Sequence, residues 1–246
     1  MKSSMNSWEK GLIGMNKKIL EIFKSYGMKY FWGNYFDSRF YIGYLISKTV
    51  SNNILDIGCG IGVLSHVSNA KNKVGIDISF ESLQIAKQLD PSIEFVVGDV
   101  TKLPFRHNYF EKVLAVHILT ELSNMDRDWK PAFDEILRVS KERSEIIFAG
   151  NNRRSNYFKH RSKESIMKYI THDQQYELLK NDFKIESFGY DPYSKIIMYP
   201  LKKILFSIPD SIAENLGLER LLFWILRSKR FLKNGRSYVI KCRKKS

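Results

Sequence analysis

From residue 53 the chain alternates short apolar runs with amphipathic segments, and this alternation constrains the fold more than any other feature. NILDI (53–57), KVGID (73–77), IEFVVGD (93–99), EKVLAVHIL (111–119) and SEIIFAG (144–150) read as strands. Segments 61–70, 79–89 and 129–141 carry helical spacing between them, and Ser79 is placed to cap the second. Such alternation requires parallel pairing, with helices on both faces of the sheet. After 150 the rhythm loosens: 151–171 is polar and basic and reads as a lid loop, 172–180 as a helix and 183–191 as a strand. Residues 191–234 interrupt before GRSYVIKCRK (235–244) resumes as a final strand. The expected architecture is α/β, a doubly wound seven-stranded and mostly parallel sheet whose last strand is antiparallel. Its divisions fall at an N-terminal helical cap (1–50), an α/β core (51–190), a basic amphipathic insertion (191–234) and a last strand with its tail (235–246).

The turn after the first strand packs three glycines into five residues, Gly58-x-Gly60-x-Gly62. A dinucleotide fingerprint spaces its glycines G-x-G-x-x-G and leaves a helix N-terminus facing pyrophosphate. Here the third glycine comes one residue early, and Asp56 stands two residues before the first. A fixed carboxylate there repels pyrophosphate but suits a ligand bearing an ammonium group. No Gly-Lys-Ser/Thr closes the loop, so it is not a P-loop. Asp77, ending the second strand, has the chemistry to accept both hydroxyl hydrogen bonds of a ribose, and Asp99, after the third, a bond from an adenine amino group. All three carboxylates fall at carboxyl ends of successive strands, where open α/β sheets bind ligands. The implied ligand has an amino group, a ribose, a base and no phosphates.

ILDIGCGIG, GID, VVGDVTKLPF and the strand VLAVHIL together resemble the class I S-adenosylmethionine-dependent methyltransferases, and most closely their small-molecule branch of ubiquinone and menaquinone biosynthesis methyltransferases. The resemblance covers residues 50–150 and, loosely, the final two strands. One departure is Phe110-Glu111, where the family often has Phe-Asp. The resemblance implies S-adenosylmethionine as cofactor, with its methionine part on Asp56, Gly58 and Gly60, its ribose on Asp77 and its adenine on Asp99. The expected lining is completed by Cys59, Gly62, Ile78, Val100 and His117, with Cys59 steric rather than nucleophilic. No metal ligand set stands out. Methyl transfer needs alignment, exclusion of water and, for a hydroxyl acceptor, removal of a proton. His117, read as ending the fourth strand, is the candidate general base; packing beneath the cofactor is the alternative.

The formal charge of +14 is uneven: residues 51–150 carry a net −3, and 191–246 a net +9. Basic surface attracts polyanions, whether phosphate backbones or anionic lipid. Within 195–233, Leu218, Leu221, Leu222, Ile225 and Leu226 follow helical spacing, flanked by Phe223, Trp224 and basic residues, the pattern of an interfacial segment. It reads either as a membrane-docking cap presenting a lipophilic acceptor or as a lid covering protein. The fourth strand lacks the Asn/Asp-Pro-Pro-aromatic motif used on amino groups of bases, which argues against nucleic acid. Two cysteines make no disulfide framework, and no secretory leader or bilayer-spanning run is evident, so the expected location is cytoplasmic, peripheral to a membrane. The expectation is methyl transfer to oxygen or carbon of a small lipophilic acceptor. An RNA or protein methyltransferase and a non-catalytic cofactor-binding partner remain the alternatives, with oligomeric state open.

Overall fold

The computed structural model describes residues 42, 46, 49–151, 170–190, 227–228 and 237–245. Parallel strands β1 (Ser51–Ile57), β2 (Ala70–Asp77), β3 (Glu94–Val97), β4 (Phe110–Val116) and β5 (Ser140–Asn151) build the first part of the sheet. Strand β6 (Phe183–Tyr190), the two-residue β7 (Arg227–Ser228) and β8 (Ser237–Lys244) complete it in the order β3-β2-β1-β4-β5-β8-β6-β7. β8 enters between β5 and β6 and runs antiparallel to both, as expected of the last strand. The seven expected strands are present, and β7 adds an eighth against Gly189 and Tyr190.

Helices α1 (Val63–Val67), α2 (Phe80–Leu89), α3 (Ile118–Asn124), α4 (Lys130–Val139) and α5 (His172–Leu179) connect the strands. Ser79 caps α2, its hydroxyl accepting the Ser82 N–H at 3.2 Å. α5 opens on a reciprocal capping box between Thr171 and Gln174. Because side chains alternate across a strand, Leu55, Val74, Val113, Ile146 and Ile240 reach one face, where they meet Ala132, Phe133, Ile136 and Val139 of α4. Phe133 stacks on Phe148 at 5.5 Å. On the opposite face Ile54, Leu114, Ile147 and Val239 are buried as well, so the sheet is covered on both sides.

That opposite face also buries charge. Lys112 and Glu145, 3 % and 6 % exposed, lie 3.4 Å apart, and Lys241 approaches the same carboxylate at 3.0 Å. Lys112 also donates to the Thr49 hydroxyl, tying the N-terminal segment to the sheet. Of the expected N-terminal cap, only Ile42 and Ile46 are described, both helical and buried. The lid reading for 151–171 and the insertion at 191–234 lie almost wholly outside the described residues. Among the described residues no helix is long and apolar enough to cross a membrane.

Candidate active site

The carboxyl ends of β1, β2 and β3 open into a cleft whose far wall is α3. Gly58, Asp77, Ile78, Asp99 and Val100 line it, all five anticipated from sequence. Ile118, Glu121, Leu122, Met125 and Arg127 form the other wall and were not anticipated. The reason is one element: EKVLAVHIL reads as a single strand, yet β4 stops at Val116. His117 then takes a left-handed conformation (φ 65°) as the N-cap of α3, rather than ending the strand. Its N–H donates to the Ala149 carbonyl at 2.8 Å, and its carbonyl accepts the Glu121 N–H at 2.9 Å. The signal for this helix was present in Ile118, Leu122 and Met125, whose spacing puts them on one face.

The glycine loop is bound to the sheet by its own amides. Gly58 and Cys59 both donate to the Ile76 carbonyl, at 2.8 and 3.1 Å, and Gly62 donates to Cys59 at 2.9 Å. The Gly60 N–H donates to Asp77 Oδ2 at 2.7 Å, while Asp77 Oδ1 accepts the Ser79 N–H at 2.9 Å. Four amides of this loop are therefore spent internally, and a phosphate would find few free donors. Gly60 (φ +53°) has nothing within 4 Å of where a Cβ would stand, so a ligand has room to approach its backbone. Gly62 (φ +75°) has the Phe95 ring 2.8 Å from that position, leaving no space for a side chain.

Asp56 lies beneath the loop, 2 % exposed, rather than in the cleft lining. Its Oδ2 accepts both the N–H and the hydroxyl of Ser65, at 3.0 and 2.7 Å. Burial pushes its carboxyl up to about 7, against the lowering effect of Ser65. Cys59 is likewise outside the lining, and burial, reinforced by Asp56 and Asp77, pushes its thiol far above the usual range, so it is no nucleophile. Gly60, Gly62 and His117 also stand back from the cleft wall. Against the cost of burial, the Thr101 donors and the Arg127 guanidinium hold the Asp99 carboxyl below its ordinary value. Among the described residues, no group of three or more His, Cys, Asp or Glu could hold a metal ion.

Residues 55–148, the segment that contains this loop, this cleft and α3, match a family model described as a methyltransferase domain. By that match, which covers less than half of the chain, the segment resembles a methyltransferase domain. The demethylmenaquinone methyltransferase of Renibacterium salmoninarum is 35 % identical over 106 residues, 42 % of this chain and 43 % of its own. The chain thus spans under half the length of that relative. Among solved structures, a possible histamine N-methyltransferase from Thermotoga maritima superposes with a TM-score of 0.59 at 16 % identity, over 94 % of this chain and all of that one. The [4+2]-cyclase SpnF superposes with a TM-score of 0.54 at 18 % identity, over 84 % of this chain and 80 % of that one. These two likenesses establish the fold alone.

Proposed function

We propose that this protein transfers the methyl group of S-adenosylmethionine to oxygen or carbon of a small lipophilic acceptor. The observation that carries the reading is the cleft: Asp77 and Asp99 at successive strand ends, beside a loop whose amides are already bonded and whose Gly60 leaves open space. Two carboxylates and few free amides suit a ribose and a base without phosphates. In this reading Asp77 receives the ribose hydroxyls, Asp99 the adenine amino group, and the backbone at Gly58 and Gly60 makes room for the methionine part. Asp56, seated under the loop, acts on that part as the charge nearest the ammonium. When bound, the sulfonium supplies a methyl group already activated for in-line displacement.

The chain's own contribution is alignment and water exclusion. The apolar side chains of Ile78, Val100, Ile118 and Leu122 wall the cleft. For a hydroxyl acceptor, His117 is the residue proposed to take the proton. A small lipophilic acceptor is supported by the likeness to demethylmenaquinone methyltransferases. It is supported also by the basic, Leu-rich sequence of 195–233 with its single Trp224, which lies outside the described residues except for Arg227 and Ser228 and which we propose docks on an anionic membrane surface from the cytoplasm.

Methyl-labelled S-adenosylmethionine incubated with native extract, then separated into lipid, RNA, protein and small-molecule fractions, tests the reading. Label in the lipid fraction, lost with Asp77→Ala, is the expected result. Label in RNA or protein would replace the acceptor class while leaving the cofactor site standing. Cofactor binding without transfer to any fraction would point to a binding-only protein.

A further inference from the structure

We infer that Arg127 reads the base together with Asp99, the two presenting a donor and an acceptor side by side as the complement of an adenine edge. This rests on the reading above, that the cleft takes S-adenosylmethionine. Asp99 Oδ1 is filled, since the N–H and the hydroxyl of Thr101 both donate to it at 2.9 Å. Asp99 Oδ2 accepts one N–H of Arg127 Nη2 at 2.6 Å, which leaves it one lone pair for a further donor. Arg127 rides on the turn that closes α3, its backbone N–H on the Leu122 carbonyl at 2.9 Å, and it lines the same cleft. Among the described residues, Asp99 is the one partner of its guanidinium, so donors of its five-pronged fork remain for a ligand.

The two side chains are 39 % and 36 % exposed, and a pair that open adds little to folding. Its place in the cleft is what distinguishes it. On each of the two edges that carry the amino group, adenine sets the exocyclic N–H donor beside a ring-nitrogen acceptor, N1 on one and N7 on the other. A lone carboxylate matches only the donor; a carboxylate fixed beside a guanidinium matches both. Ile78 and Met125, both in the lining and each 65 % exposed although apolar, offer surfaces against which a flat ring can lie.

The test is calorimetric binding of S-adenosylhomocysteine and of its 1-deaza and 7-deaza counterparts, each lacking one ring acceptor, to the full chain and to Arg127→Met. With the unaltered protein, one of the two deaza compounds should bind about tenfold more weakly than the parent. In Arg127→Met the parent should weaken by a similar factor, and the difference between parent and that deaza compound should vanish. Equal binding of all three to the unaltered protein, or a deaza penalty that survives in Arg127→Met, overturns the inference. Failure of the unaltered protein to bind S-adenosylhomocysteine overturns the cofactor reading and this inference with it. Should Arg127→Met fail to fold, the same comparison in Arg127→Gln decides the matter.

Discussion

Replacing Asp56 by Asn should flatten the alkaline side of the protein's stability profile. Asp56 is 2 % exposed, and its carboxyl rises from 3.8 to about 7 because burial disfavours the charge. A group whose folded value lies above its unfolded value supports the fold fully below the unfolded value. That support is lost as pH climbs toward and through the folded one. The gap between 3.8 and about 7 corresponds to about 4 kcal/mol in all, at 1.36 kcal/mol per tenfold change. More than half of this, about 2–3 kcal/mol, is lost between about pH 5 and about pH 8. Asn keeps an acceptor for Ser65 and cannot ionise, so Asp56→Asn removes the loss. Urea unfolding of both proteins across that range should show the variant the more stable throughout, with a separation that widens by about 2–3 kcal/mol from the acid end to the alkaline end. Because an ammonium favours the ionised carboxylate, S-adenosylhomocysteine binding near pH 7 should also release a fraction of a proton from the unaltered protein, seen as a buffer-dependent binding enthalpy. Parallel stability curves, with no change in their separation from pH 5 to pH 8, would refute the reasoning.

Two further substitutions probe the frame around the site. Gly62→Ala forces a left-handed alanine whose Cβ meets Phe95 at 2.8 Å, so strain and overpacking together should cost about 2–4 kcal/mol, read as a fall in urea midpoint. Glu145→Ala leaves Lys112 buried without its carboxylate and should cost about 3–5 kcal/mol, whereas the Lys112→Met, Glu145→Leu double variant should recover most of that.

The repeated strand–helix pattern made the parallel half of the sheet legible, because each apolar run of 53–57, 73–77 and 144–150 is bounded by polar or glycine punctuation. The loop, Asp77 and Asp99 were legible for the same reason, their places following from strand ends alone. The α3 wall was not, since VLAVHILTEL is one apolar run with no glycine or proline to mark where β4 hands over to the helix. The handover is made by backbone, the left-handed turn at His117, which the identity of a histidine does not announce. Arg127 was lost with the helix: its meaning comes from reaching Asp99 across 28 positions, a pairing that no local spacing encodes. Asp56 shows the converse. Its residue type and position were legible, but its burial under Ser65 follows from the tightness of the turn into α1.

The topology of this sheet is shared with a [4+2]-cyclase as well as with methyltransferases, so the weight of the functional argument falls on the cleft. A dinucleotide site uses its glycine loop to turn backbone N–H groups toward pyrophosphate. Here Asp77 takes the Gly60 N–H at 2.7 Å, and the Ile76 carbonyl takes those of Gly58 and Cys59. A phosphate would have to displace a carboxylate and then sit beside it. Arg127, the one cationic residue of the lining among the described residues, is held beside the Asp99 carboxylate at 2.6 Å, so a phosphate approaching it would meet that negative charge as well. The same bonds cost a phosphate-free nucleoside nothing, because ribose hydroxyls and an adenine amine donate to lone pairs that Asp77 and Asp99 still hold. Loop amides bonded inward and carboxylates facing the cleft therefore favour a sulfonium nucleoside over a pyrophosphate cofactor.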